Sequence, residues 1–242
     1  MDRRKFLSTA ALTSAALALT RELEGQANKS YKRPVLISSK NGFNGADGGY
    51  ALLQRGHDTL DAVLFLLKTQ EDDPSDDSVG LGGLPNEDGE VELDSCVMHG
   101  PTRRAGAVAG VRQIKNVCLV AKTVMERTNH LLLVGEGAQR FAVAHGFPKE
   151  NLLTERSRKI WLLWKEVHSD QDDWGPGLSS PEWKPPKPLA QLTPGELDGR
   201  IKRMYEVAAE LGIEENFRMQ AIERVLHPPT GTIHCSTVND KG

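Results

Sequence analysis

Residues 105–146 read AGAVAGVRQIKNVCLVAKTVMERTNHLLLVGEGAQRFAVAHG, and the hydrophobic period changes three times along them. Ala105 to Val111 alternates small and apolar residues, the period-two pattern of a strand. From Lys115 to Arg127 the apolar positions Val117, Val120, Ala121 and Val124 recur at helical spacing. His130 to Val134 is again strand-like, Gly135 and Gly137 predict a turn, and Ala138 to His145 predicts a helix stopped by Gly146. Strand, helix, strand, helix within some forty residues predicts a mixed α/β (α+β) class.

Working outward towards the N-terminus, Val35 to Ser38 predicts a short buried strand, followed by a glycine-rich loop through Gly42, Gly45, Gly48 and Gly49. Ala51 to Gln70 predicts one helix, with Leu60, Val63, Leu64 and Leu67 on one face and Asp58 as its N-cap. The acidic run EDDPSDD (71–77) ends that helix at Pro74. Asp88-Gly89 lies between Leu84 and a strand-like Val91 to Asp94, which is a hairpin signal. A Rossmann reading fails, because neither the loop after Ser38 nor Gly135-Glu136-Gly137 supplies G-x-G-x-x-G between a strand and a helix.

Outward towards the C-terminus, prolines at 176, 181, 185, 186, 188 and 194 forbid continuous helix between Asp170 and Pro194. That stretch reads as a surface insertion or linker, in which Trp174 and Trp183 are either anchors to the body or a ligand platform. Helical patterning returns from Gly195 to Leu211 and from Glu215 to Leu226, and Pro228-Pro229 stops it. The last segment, Thr230 to Val238, is β-branched and alternating, and predicts a strand.

Composition narrows the partners. The 242 residues carry a formal net charge of -3, so no basic excess points to nucleic acid or to an anionic membrane surface. Cys96, Cys118 and Cys235 are odd in number and lack metal-ligand spacing, which rules out a disulfide scaffold and allows at most one disulfide; the histidines show no H-x-x-x-H pair, so a zinc site is unsupported. Cys118 falls in an apolar helical pattern and reads as core. Cys96 as a nucleophile would need a histidine that spacing alone does not place. The acidic cluster Asp72, Asp73, Asp76 and Asp77 lacks EF-hand spacing and reads as a solvated helix end. At the N-terminus, Arg3, Arg4 and Lys5 precede an uncharged run from Ser8 to Leu19, too short to span a bilayer. Residues 1–27 are therefore expected to be an export signal, and the paired arginines resemble the twin-arginine type, with an ordinary Sec signal or a short amphipathic helix as the alternative; the mature protein is expected in the bacterial periplasm or secreted, without a membrane anchor.

One dipeptide near the C-terminus fits a specific chemistry. A threonine hydroxyl is a weak nucleophile for want of a nearby base. If the Gly231–Thr232 bond is cut, the new α-amine shares a residue with the hydroxyl. Its unperturbed pKa of about 7.7 to 8.0 leaves a useful fraction neutral and able to accept the hydroxyl proton. Taken alone, Gly-Thr is a common dipeptide whose default reading is a buried strand threonine.

A longer pattern adds to this dipeptide. Pro34-Val-Leu-Ile-Ser-Ser, Gly56-x-x-x-Leu-Asp-Ala-Val63, the run from Glu71 to Pro85, Asp88-Gly89 and Leu93-Asp94-Ser95 come first. Val108-Ala109, Ile114-Lys115-Asn116, Ala121-x-x-Val-Met-Glu126-Arg-Thr-x-His130, Leu133-Val-Gly-Glu-Gly-Ala138 and Phe147-x-Lys-Glu-Asn-Leu-Leu153 follow in order. Together they resemble the precursor of glycosylasparaginases, in the asparaginase branch of the N-terminal-nucleophile hydrolases. The resemblance runs from about Pro34 to Trp164 and resumes at Thr230.

It implies a four-layer αββα sandwich, of which only the N-terminal portion is present, and a precursor that cuts itself between Gly231 and Thr232. It further implies that Thr232 is nucleophile and base, that the substrate is a small asparagine-derived amide, and that no metal or organic cofactor takes part. Glycosylasparaginases usually carry Asp before the nucleophile; Gly231 is the arrangement of the asparaginase and isoaspartyl-peptidase relatives. Lys40 and Asn41 stand where the family's first-strand loop presents a tryptophan to the substrate, and are the substrate-loop candidates. In the family a second threonine, an Arg–Asp clamp and a Thr-Gly oxyanion hole follow the nucleophile, whereas this sequence runs ten residues past Thr232 to Gly242.

The expected organisation is an export signal at 1–27, an α-subunit-like part at 34–169, a proline-rich and helical insertion at 170–229 and the first strand of a β-subunit-like part at 230–242. The chain alone is then expected to be inactive and to need a C-terminal half, with a homo-oligomer of the complete enzyme left open. The alternatives are a non-catalytic fragment or half of a split enzyme, and an isoaspartyl peptidase/L-asparaginase.

Overall fold

The computed structural model describes residues 33–168, 187, 189–228 and 232–242. Seven α-helices and five strands in two sheets lie among them, a mixed α/β protein as the alternation in 105–146 predicts. Two compact units divide the chain, one holding the described residues up to Leu66 with His234–Gly242, the other Leu67–Ile233.

In the first unit, β1 (Val35–Ser38) pairs antiparallel with β5 (Cys235–Val238), matching Val35 to Val238 and Ser38 to Cys235. The strand falls where expected but is not buried. Val35 and Ile37 are 40% and 62% exposed, because period-two alternation turns them to one face while Leu36 and Ser38 take the other. The expected final strand is shorter than its β-branched pattern: it starts at Cys235, Thr232 to His234 precede it as irregular backbone, and residues 229–231 lie outside the described part.

The expected glycine-rich loop is instead helix α1 (Phe43–Gln54), entered through a 3₁₀ turn at Lys40–Gly42. Gly45 and Gly49 stand one helical turn apart, where α1 meets α2 (Thr59–Glu71). A Cβ on Gly45 would lie 2.7 Å from the Leu66 Cα, and one on Gly49 would lie 2.9 Å from the Ala62 carbonyl oxygen. Close approach of two helix backbones, not turn geometry, selects glycine here.

The single helix expected over 51–70 is broken after Gln54, where Gly56 at φ +79° reverses the chain. Asp58 then caps α2 as expected, its Oδ1 accepting from the Leu60 N–H at 2.8 Å. Asp58→Ala is expected to cost about 1 kcal/mol of stability, measured as a lower urea midpoint with an unchanged slope.

In the second unit, β2 (Glu92–His99), β3 (Arg104–Arg112) and β4 (Leu132–Val134) form one sheet in that order. β2 and β3 are antiparallel and β3 and β4 parallel, with α3 (Val117–Arg127) as the crossover. α3 lies so close that a Cβ on Gly106 would fall 2.3 Å from the Ala121 carbonyl oxygen. Val108, Val111, Val120, Ala121 and Val124 make the dry interface. The turn at Asp88-Gly89 forms, with Asn86 Oδ1 accepting from the Asp88 and Glu90 N–H groups. It is not a hairpin, because residues 84–85 form no strand and β2 finds its partner in β3. Glycines 135 and 137, expected in a turn, open helix α4 (Gly135–Ala144), with Gly135 taking φ +53° directly after β4.

Helix α5 (Glu155–His168) has no counterpart among the sequence expectations, although Ile160, Leu163 and Trp164 stand at helical spacing. It packs with α6 (Pro194–Glu210) and α7 (Glu215–Leu226) around Ile160, Leu163, Met204, Val207, Ile213 and Ile222. Pro194, expected in the linker, is the first residue of α6, where its missing N–H is harmless; Thr193 and Glu196 close a capping box before it. Trp174 and Trp183 lie outside the described residues.

Candidate active site

Thr232 is exposed and sits two residues before His234, at which β5 is tied to the loop after β1. The Ser39 N–H donates to the His234 carbonyl at 2.9 Å, and the His234 N–H donates to Ser39 Oγ at 2.9 Å. Ser39 Oγ in turn donates to Asn41 Oδ1 at 2.6 Å. The Ser39 hydroxyl therefore gives its proton to one partner and takes a hydrogen bond from the other, fixing loop and strand in one register. Ser39 is a positioning residue that sequence reasoning missed; only its place after the first strand could have signalled it.

Of the substrate-loop candidates, Asn41 is half-buried and joined to this network, while Lys40 is exposed at the start of the 3₁₀ turn. Gly231 lies outside the described residues. The His234 ring pairs through Nε2 with Ser236 Oγ at 2.9 Å. Burial pushes the neighbouring Cys235 thiol up to about 11, so it is not a thiolate at neutral pH.

The acidic segment after α2 is not the solvated helix end its charge suggests. Asp77 is buried and bonded by Arg224 Nε at 2.7 Å. Asp76 accepts from the Ser78 and Val79 N–H groups and from Gln70, and Asp73 from the Ser75 N–H and hydroxyl. Asp72 is bonded by Lys68, by Lys115 at 3.2 Å and by Asn116 at 2.9 Å. Among the described residues no group of three or more His, Cys, Asp or Glu is placed to hold a metal ion.

Cys118 is core, as its helical pattern predicts, but it is not purely apolar packing. Glu71, 3% exposed, accepts from the Cys118 N–H at 3.0 Å and lies 3.0 Å from its sulfur. Burial drives the Glu71 carboxyl up to about 7 against the opposing pull of its bonds to Cys118 and Asn116, and burial likewise raises the Cys118 thiol well above its usual range. Nothing local in sequence marks this pair, whose members are 47 residues apart.

Comparison with known proteins converges on one family. The family model described as Asparaginase matches residues 23–188. An N(4)-(β-N-acetylglucosaminyl)-L-asparaginase of Elizabethkingia miricola is 40% identical over 169 residues, covering 67% of this chain and 49% of that protein. The mouse N(4)-(β-N-acetylglucosaminyl)-L-asparaginase is 31% identical over 202 residues, 82% of this chain and 56% of its own. A plant-type L-asparaginase of Pyrococcus abyssi is 47% identical over 118 residues, 49% of this chain and 38% of its own. The chain thus spans about half the length of the curated relatives it matches. With its ordered motifs from Pro34 onward and a family match over more than half its residues, the chain belongs to the asparaginase family.

Proposed function

We propose that this chain carries the nucleophile of an amidohydrolase that converts the side-chain amide of asparagine, plain or N4-glycosylated, to aspartate. The observation that carries this reading is the tie between Ser39 and His234, which holds the strand following Thr232 against the loop of the first strand. In the precursor, Thr232 Oγ attacks the Gly231 carbonyl carbon and the C–N bond breaks, which frees the Thr232 amine and leaves an ester; water then cleaves the ester to give the Gly231 carboxylate and the free Thr232 hydroxyl. In the reaction the same oxygen attacks the substrate amide carbon, and the α-amine takes the hydroxyl proton and passes it to the leaving amine. Water then releases aspartate from the acyl-enzyme.

Turnover on this reading requires the segment that makes up the remaining half of the relatives' length, supplied by the same polypeptide or by a second one. Oxyanion donors belong to that segment in the family, and losing one typically costs about 10² to 10³ in rate. The same proposal takes Arg3-Arg4 and the apolar run after it as a twin-arginine address to the periplasm, and 170–229 as an insertion.

A second reading has one observation behind it. Gly231 rather than Asp precedes the nucleophile, and the Pyrococcus protein, 47% identical where it matches, is named a plant-type L-asparaginase. Release of aspartate from N4-(N-acetylglucosaminyl)-asparagine, asparagine and an isoaspartyl dipeptide, compared as kcat/KM, separates the two. With the remaining half supplied, the glycosylasparaginase reading expects the glycosylated amide to lead; tenfold preference for either of the others establishes the second, and no aspartate from any of the three in the completed enzyme rejects both.

A further inference from the structure

The buried ion pair between Asp77 and Arg224 serves no step of the reaction proposed above, yet Arg224 stands seven residues before Gly231, at the bond that must be cut. Asp77, in the segment between α2 and β2, is buried, and Arg224 Nε donates to it at 2.7 Å. Arg224 belongs to the last turn of α7. Its neighbours Ala221, Ile222 and Val225 pack in the core shared with α5 and α6.

Towards the segment that carries Asp77, the end of α7 is less well filled. A cavity of about 280 Å³ lies there, bordered by Asp77, Leu84, Trp161, Trp164, Arg224 and Pro228. Side chains that face a void forgo dispersion contacts on that side, so the charge-assisted bond of Arg224 is the tie that holds this helix end to the segment.

The placing of that helix end bears on the cut. Attack of Thr232 Oγ on the Gly231 carbonyl carbon needs the two atoms in near-contact geometry, which a loosely held chain meets rarely. Downstream, the chain is fixed at His234 by Ser39. Upstream, α7 ends at Leu226, and the prolines 228 and 229 follow, with φ fixed by their rings. The direction of α7 is therefore passed towards Gly231 through few free bonds.

We infer that Asp77 and Arg224 are positioning residues for self-cleavage: by holding the end of α7 they present the Gly231 carbonyl to Thr232. The inference rests on the reading of Thr232 as a self-exposed nucleophile. It adds that the pair serves the cut and not the turnover that follows, because α7 has no covalent link to Thr232 once the bond is open.

The test follows loss of the precursor of the complete protein by intact mass, and then kcat/KM for aspartate release by the fully cut enzyme. Asp77→Asn removes the charge and keeps the shape, and should slow cutting about tenfold while leaving kcat/KM of the cut enzyme unchanged. Arg224→Gln should do the same, and Arg224→Lys, which keeps a cation, should cut faster than Arg224→Gln. Because Arg224→Gln leaves Asp77 buried and unpaired, the double variant Asp77→Asn/Arg224→Gln, which buries no charge, carries the test where the single variant does not fold. Cutting at the parent's rate in Asp77→Asn and in the double variant would overturn the inference alone, as would equal losses of cutting and turnover, the mark of a merely structural pair. A parent protein that is never cut at Gly231–Thr232 would overturn the reading of Thr232 and the inference with it.

Discussion

In the complete enzyme, Thr232→Ala is expected to leave the Gly231–Thr232 bond uncut and to remove amide hydrolysis, lowering kcat by about 10⁶, the scale seen when the nucleophile of a hydrolase is deleted. The effect is large because, on the proposed mechanism, one residue supplies both the attacking oxygen and, once cut, the amine that takes its proton. Thr232 is exposed, so the substitution removes no core contact, and the variant should melt within about 0.5 kcal/mol of the parent. Thr232→Ser keeps a hydroxyl and should still process, more slowly. A two-chain product from the alanine variant would remove Thr232 from the role.

The second large effect concerns stability and pH. Glu71 ionises near 4.5 when exposed and near 7 in the fold, because burial disfavours its charged form. The folded state therefore holds a proton that the unfolded state has lost between those values. Stability contributed by the neutral carboxyl is fully present below pH 4.5 and is lost as pH rises through 7, by about 3 kcal/mol in all. The groups facing Glu71 are the Cys118 thiol and N–H, Asn116, and the adjoining Asp72 with its partners Lys68 and Lys115. Hydrogen bonds from Lys68, Asn116 and Lys115 outweigh burial at Asp72 and hold its carboxyl below the usual range, so it stays charged across the window. Glu71→Gln keeps the shape and an acceptor for the Cys118 N–H but cannot ionise. Urea unfolding from pH 4.5 to 8.5 should show the variant losing about 3 kcal/mol less than the parent over that interval; parallel curves would contradict the assignment.

How much of this could be read without coordinates depended on whether a pattern was local. The alternation in 105–111 and the helical spacing in 115–127 reflect one buried face each, and β3 and α3 form there. Asp58 acts on a backbone N–H two residues away, so its capping role was visible in the sequence. The glycines of α1 misled because their reason lies on another helix, at Leu66 and Ala62, and a glycine run looks the same whether it turns or packs. Asp77 read as solvated because its partner Arg224 is 147 residues away. Glu71 with Cys118 was hidden for the same reason. At the candidate site, motif order proposes Thr232, and Asn41 stands where the family pattern is departed from, whereas the bridging of Ser39 needed the pairing of β1 with β5.

The central claim is that Thr232 becomes an N-terminus and acts from there. Amino-terminal sequencing of the chains of the protein purified from the cells that make it tests this directly. A chain beginning Thr232-Ile233-His234-Cys235, with its mate ending at Gly231, is the predicted result. A chain that crosses Gly231–Thr232 uncut in preparations that release aspartate from asparagine amides would contradict it.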